Sequence, residues 1–168
     1  MTTGLRAAVT RGTVTDVLVA CLLTAPLAVA LGAEHHYWAL VAAVVPLSVP
    51  GPTQRVARAV LRIGGTVAGL GVAAALLSPD LPAWAVVLVV VVLQGCAELF
   101  VLRHYAVALL FITPLALLVS RLTHPGPTPE LIADRLLATT IGVAVALLVL
   151  AARSNAGTIR GLLRGTRP

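Results

Sequence analysis

Hydrophobic residues in this chain fall into six long runs, near positions 17–33, 37–49, 63–77, 83–102, 105–120 and 136–152. Short breaks rich in Pro, Gly, Arg or acidic residues part them. Helices of about 15 to 20 residues match the hydrocarbon core of a bilayer, the shorter runs borrowing length from amphipathic flanks. The pattern predicts an all-α fold: a polytopic membrane protein with six transmembrane helices. They form one transmembrane domain over residues 1–168, in which residues 154–168 make a short basic cytoplasmic tail.

Composition agrees with that reading. The chain is 59% hydrophobic and 11% charged with a mean hydropathy of +1.01, far from the roughly one-quarter charged residues of a soluble domain. All twelve basic residues are Arg. In a six-span topology Arg6, Arg11, Arg55, Arg58, Arg62, Arg103 and the four from Arg153 onward share one side. Only Arg121 and Arg135 fall on the other, where Glu34, Asp80, Glu130 and Asp134 outnumber them. The positive-inside rule then puts both termini in the cytoplasm. A net charge of +6 does not imply nucleic acid, because these arginines are spread over helix ends and a short tail rather than one soluble face; topology and anionic lipid explain them. An Ala/Val/Leu-rich chain with Arg as its sole strong base fits a GC-rich bacterial genome, hence the inner (plasma) membrane. Ala28-Val29-Ala30 and Leu18-Val19-Ala20-Cys21 imitate cleavage sites. The apolar run continues past Cys21, however, and removing it would leave five spans, so the first helix is expected to stay.

One frame occurs twice. HHYWALVAAVVPL at 35–47 and RHYAVALLFITPL at 103–115 each carry His-Tyr eight residues ahead of Pro-Leu, at an offset of 68. After the first copy comes Arg62-Ile63-Gly64-Gly65-Thr66-Val67-Ala68-Gly69, after the second Arg135-Leu136-Leu137-Ala138-Thr139-Thr140-Ile141-Gly142. Both read Arg, Thr four residues on, Gly three further, now at an offset of 73. Extra residues around His124-Pro125-Gly126-Pro127-Thr128 absorb the difference. Each unit holds three helices, an odd number, so the second unit enters the membrane from the opposite side. The expectation is two inverted three-helix repeats, about 14–77 and about 82–153. Inverted repeats are common in secondary transporters, whose sites lie near the midplane where helices are interrupted in matching positions. Pro46 and Pro114 match in this way, and each leaves a carbonyl one turn earlier without its donor. A packing kink and a pathway element explain the pair about equally well.

Further candidates follow from spacing. Arg55, Arg58 and Arg62 stand at i, i+3, i+7 on one face of the third helix. Arg55 and Arg58 suit snorkelling toward lipid phosphates, whereas Arg62, the deepest, and its mate Arg135 suit an internal ligand or ion pair. Thr66 and Thr139 are expected to hydrogen-bond across a helix contact. Gly64, Gly65, Gly69 and Gly142 are helix-packing residues that bring the third and sixth helices together. Glu98, near the hydrocarbon boundary, either pairs with Arg103, the simpler reading, or carries a coupling proton. Asp16 is placed at the start of the first helix, complementing its dipole. Adjacent histidines 35 and 36 point in different directions and Cys21 and Cys96 lack ligand spacing, so no metal and no cofactor is expected. Tyr37 and Trp38 suit interfacial anchors. There is no nucleotide-binding loop and no nucleophile with a base, so no enzyme is expected.

At Tyr37-Trp38-Ala39-Leu40, Arg62 to Gly69, Phe111-Ile112-Thr113-Pro114-Leu115 and Arg135 to Gly142 the chain resembles the fusaric acid resistance-like family, over about residues 37–147. That family is related to the aromatic acid exporters and distantly to plant aluminium-activated malate transporters. The resemblance implies six-helix membrane units and proton-driven export of organic, often aromatic, carboxylates. Many members carry two such membrane blocks, so a homodimer or a separately encoded partner is expected alongside the bilayer and a small organic anion. The expected function is a transporter subunit exporting hydrophobic organic anions. A passive anion channel and a non-transporting assembly module are the alternatives.

Overall fold

The computed structural model describes the backbone of residues 2–79, 81–123 and 126–165, and the side chains of residues 12–79, 81–123 and 126–155. Arg6, Arg11, Asp80, His124 and the arginines after Arg153 therefore lie outside the described side chains. Among the described residues there are six helices and no strand: α1 (Thr2–Ala30), α2 (His36–Leu47), α3 (Pro52–Leu77), α4 (Ala83–Val101), α5 (Tyr105–Thr123) and α6 (Thr128–Gly165). All but α2 contain a stretch long and apolar enough to cross a membrane.

Helix α2 is shorter than its hydrophobic run predicts. Its 12 residues reach about 18 Å at 1.5 Å per residue, well short of a ~30 Å hydrocarbon core. Pro50 and Pro52 end it, because neither has an N–H and the residue before each is pushed out of the helical region. Ser48 closes the last turn with its N–H and hydroxyl on the Val44 carbonyl. Gly51 then takes φ +81° as the N-cap of α3, and Pro52 opens that helix. Helices α1 and α6 depart in the other direction. They outrun their apolar cores, since no proline interrupts their polar ends; the stretch 154–165 extends α6 rather than leaving it.

The α1–α2 turn is a Schellman motif. The Ala33 N–H donates to the Ala28 carbonyl at 2.9 Å and the Gly32 N–H to the Val29 carbonyl at 3.1 Å, with Gly32 at φ +78°. Ala28 and Ala33 are both buried and pack together.

Small residues face inward and large ones outward. The buried face of α1 is Asp16, Ala20, Thr24 and Ala28, each four residues from the last, while Leu18, Leu22, Leu23 and Val29 are exposed. Helix α4 turns Val87, Leu88, Val91, Val92 and Leu99 outward and buries only Leu93 and Ala97. Lipid chains solvate large aliphatic side chains as well as a protein core does, so membrane helices associate through close backbone approach.

The helices sort into two groups that cut across the sequence repeat. Ala20, Ala28, Ala39, Ala43, Leu47, Ala138, Val145 and Val149 bind α1, α2 and α6 together in two buried clusters. Leu70, Leu77, Leu93 and Leu117 bind α3, α4 and α5 in a third. Helix α3 makes its broadest contact with α5, and α2 with α6. Contacts also identify the ends of the bundle. Asp16 of α1, Arg55 of α3 and Arg153 of α6 meet at one end; His35, which precedes α2, meets Asp134 of α6 at the other.

Candidate functional site

Positions i, i+4 and i+7 lie on one face of a helix. Arg62, Thr66 and Gly69 form such a face on α3, and Arg135, Thr139 and Gly142 form it on α6. All six are buried, the two arginines at 3% exposure each. Arg62 lies ten residues inside the Pro52 end of α3, about 15 Å at 1.5 Å per residue, and Arg135 seven residues inside the Thr128 end of α6, about 10 Å. Those ends belong to opposite faces of the bundle, so each arginine lies two to three turns in from its own face.

The glycines bring each face onto a helix of the other sequence repeat. A Cβ on Gly69 would meet the Leu109 carbonyl oxygen at 2.6 Å and the Thr113 Cβ at 2.7 Å, and one on Gly65 would meet Leu109 and the Ala106 carbonyl. A Cβ on Gly142 would collide with the Ala39 carbonyl oxygen and lie 2.7 Å from the Ala42 Cβ. The glycine surfaces thus serve α3 on α5 and α6 on α2. Helices α3 and α6 do touch, but not through these glycines. Gly64 faces outward with nothing within 4 Å of its Cβ position.

Each buried guanidinium meets the aromatic start of the partnered helix. Arg62 Nη1 donates to the Tyr105 hydroxyl at 2.9 Å, and Arg58 lies 4.0 Å over the same ring. Arg135 lies 4.7 Å over Trp38, so Trp38, expected as an interfacial anchor, is buried at 4% exposure, while Tyr37 remains exposed. Of the charged groups nearby, Arg62 repels Arg135 and Asp134 attracts it. Neither Arg62 nor Arg135 contacts a carboxylate among the described residues. The Nε of each has no hydrogen-bond partner, nor do the hydroxyls of Thr66, Thr113 and Thr139. The hydrogen bond expected between Thr66 and Thr139 is not formed. A cation–π contact contributes about 0.5–2 kcal/mol and a hydrogen bond to a charged group about 1.5–3 kcal/mol. Burial costs several kcal/mol per ion. These contacts offset only part of that cost, and two like charges share the region. Such an arrangement can bind an anion.

A family model described as fusaric acid resistance protein-like matches residues 20–149, more than half of the chain. The chain belongs to that family. Neither the curated proteins nor the solved structures gave a match. Membership in the fusaric acid resistance protein-like family carries a membrane-transport-related role, and with the apolar helices it makes the chain a multi-pass membrane protein.

The other sequence-derived candidates of this fusaric acid resistance-like chain lie around that centre. Pro46 and Pro114 are fully buried; Pro114 follows Thr113, which touches Gly69, and Pro46 lies one turn beyond Ala42, which touches Gly142. Glu98 is exposed on α4 and accepts a hydrogen bond from Gln94 at 2.7 Å, not from Arg103. No group of three His, Cys, Asp or Glu side chains is arranged to hold a metal among the described residues. A pocket of about 180 Å³ lined by Leu77, Leu118 and Arg121 and an apolar groove of about 530 Å³ between α1 and α6 are lined by other residues than the buried arginines.

Two polar clusters escaped the sequence reading. Because α1 begins at Thr2, Asp16 is not at a helix start but in mid-helix, 3% exposed. It accepts from Arg55 at 2.9 Å and pairs with Arg153; Arg55 also donates to the Val49 carbonyl and Thr13. Arg55 is therefore an internal clamp rather than a snorkelling side chain. At the far end the Asp134 carboxylate accepts from the Glu34 N–H at 2.9 Å, the His35 N–H at 3.1 Å and His35 Nδ1 at 2.7 Å. It ties the two residues before α2 to another helix. The one local hint was an acid beside the repeated Arg in the second unit and not in the first.

Proposed function

We propose that this chain is a transporter subunit that exports hydrophobic or aromatic organic anions across the bacterial inner membrane. The observation that carries the reading is the pair of buried guanidiniums, Arg62 and Arg135, with unpartnered nitrogen atoms and no carboxylate in contact. An ionisable residue inside a membrane protein marks a substrate pathway by default, and guanidinium forks suit carboxylates. Trp38 and Tyr105 beside them supply rings against which an aromatic acid can pack.

The proposal includes two inverted three-helix repeats with both termini in the cytoplasm. Supporting it, the four broadest contacts survive exchange of α1–α3 with α4–α6: α1 on α2 corresponds to α4 on α5, and α3 on α5 to α6 on α2, while the lesser contacts of α1 with α6 and of α2 with α3 have no such counterpart. The pathway then lies where α2, α3, α5 and α6 meet, with Pro46 and Pro114 at corresponding levels. A second copy is proposed to complete the unit. The outward face of α3 supports this, since Gly64 and Gly71 have open space at their Cβ positions and allow close helix approach.

Efflux of labelled benzoate from vesicles holding the purified protein, with and without a pH gradient, tests the reading. Export predicts flux that depends on the gradient and is abolished by uncoupler. Flux indifferent to uncoupler indicates a passive channel, and no flux from correctly assembled protein overturns transport.

A further inference from the structure

The far end of the bundle joins a titratable pair to the buried arginine. Asp134 holds the amino end of α2 through two backbone N–H groups and the His35 ring. The next residue, Arg135, holds the same turn from inside by lying over Trp38. His35 in turn stacks on Trp38, with ring centroids 4.3 Å apart and planes 13° from parallel. One indole therefore faces both an imidazole and a guanidinium. Because Nδ1 lies 2.7 Å from a carboxylate oxygen, that nitrogen carries a hydrogen and the second proton goes to Nε2.

The corresponding contact at the other end has no such group. There Arg62 and Arg58 hold Tyr105; the position matching Asp134 is Leu61 and that matching His35 is Arg103. The device is one-sided.

We propose that His35 and Asp134 form a proton-binding site at the α1–α2 face of the membrane, and that a proton bound there raises the affinity of Arg135 for an anion. A proton on His35 leaves the pair to Asp134 intact and places a positive charge against Trp38, where it competes with Arg135 for the electron-rich ring. The guanidinium is loosened from the indole and the local field becomes more positive, so anion and proton favour each other's binding reciprocally. Around this site helix α1 contributes Ala28, which does not titrate. Glu34, His36 and Tyr37 flank His35 in sequence, Glu130 precedes Asp134 by one turn of α6, and Arg62 of α3 and Tyr105 of α5 lie within electrostatic reach of Arg135. The coupling to an anion rests on the transport reading above; the proton site does not.

Trp38 and Trp84 are the two tryptophans of the chain, so Trp84→Phe leaves Trp38 as a sole reporter in the full protein, reconstituted in lipid nanodiscs. An imidazolium stacked on an indole quenches its emission. The expected result is a loss of Trp38 emission on acidification. That loss persists in His36→Gln and is absent in His35→Asn, which keeps a donor at the place of Nδ1 but takes no proton. Benzoate should move the midpoint to higher pH in the parent protein. A flat titration, or a quench that survives His35→Asn, overturns the proton site, and a midpoint unmoved by saturating benzoate overturns the coupling. The quench itself needs no transported anion, so loss of flux with the quench intact sinks the transport reading alone.

Discussion

The buried guanidinium of Arg62 donates to the hydroxyl of Tyr105 at 2.9 Å, joining the middle of α3 to the first residue of α5. Arg58, one turn earlier, covers the ring of the same tyrosine. The two arginines differ in what they offer an anion, because Arg62 is 3% exposed, whereas Arg58 is only partly buried. Arg62→Ala should therefore depress benzoate efflux about tenfold, a loss of about 1.4 kcal/mol of binding, and Arg58→Ala by much less. Equal effects in the vesicle assay would remove Arg62 from the pathway while leaving the fold untouched.

Tyr105→Phe separates the hydrogen bond from the ring. The hydroxyl is lost but Arg58 keeps its face, so stability in detergent should fall by about 1–2 kcal/mol. Chemical denaturation followed by helix content measures this. A variant as stable as the parent would mean that Arg62 finds another acceptor.

Glycine substitutions distinguish packing inside the chain from surface. A methyl group at 142 meets the Ala39 carbonyl and the Ala42 Cβ, atoms fixed by the α2 backbone, so α6 must back away from α2. Overpacking of this kind costs about 1–3 kcal/mol or more, and Gly142→Ala should yield little monodisperse protein. Gly64→Ala meets nothing within the chain and removes a flexible residue from a helix, so the fold of the single chain should be unchanged or stabilised by up to about 1 kcal/mol, any loss being confined to assembly with a second copy. Size-exclusion profiles and thermal unfolding of the two variants provide the comparison; Gly142→Ala behaving like Gly64→Ala would refute the close contact of α6 with α2.

Carboxylates give the same kind of contrast. Asp16 is buried between two guanidiniums, and breaking a buried pair leaves uncompensated charge at a cost of about 3–5 kcal/mol. Asp16→Asn should lower the midpoint of thermal unfolding substantially. Glu98 is exposed with Gln94 as its partner, so Glu98→Gln should change stability by less than about 0.5 kcal/mol. It should also leave the pH dependence of efflux unchanged. A lost pH response in Glu98→Gln would return the coupling role to that residue.

Helix number and the family were legible because both are local: hydropathy runs reveal spans, and the Arg, Thr, Gly face recurs in adjacent residues of one helix. What the faces touch was not legible. The spacing of Gly65, Gly69 and Gly142 reveals a smooth surface but not which helix lies on it, and these surfaces chose α5 and α2 rather than each other. The partners of Asp16, 39 residues away at Arg55, and of His35, 99 residues away at Asp134, depend on the assembled bundle. Asp16 was misplaced for a simpler reason. Hydropathy stops where polar residues begin, and Thr13 with Asp16 before an apolar run looks like a capping box, but the backbone of α1 passes through these residues without a break.

The last prediction concerns whether Arg62 and Arg135 act as one site. If each bound a separate anion at a separate depth, their contributions would be independent, and the double variant would lose the product of the single losses. If one carboxylate lies between them, removing either guanidinium already dismantles most of the site, so the second removal costs less. With tenfold losses in each single Arg→Ala variant, independence predicts about a hundredfold loss in the double variant. A shared anion predicts distinctly less, on the order of twentyfold to thirtyfold, equivalent to a coupling energy within the 0.5–3 kcal/mol range seen for residues in contact with a common partner. The same cycle in unfolding experiments without anion should show coupling of the other origin: the two like charges repel and either single removal relieves that repulsion in full, so the double variant should be less stable than the sum of the single effects predicts. Additive flux losses would separate the two guanidiniums into independent roles and dissolve the shared central site.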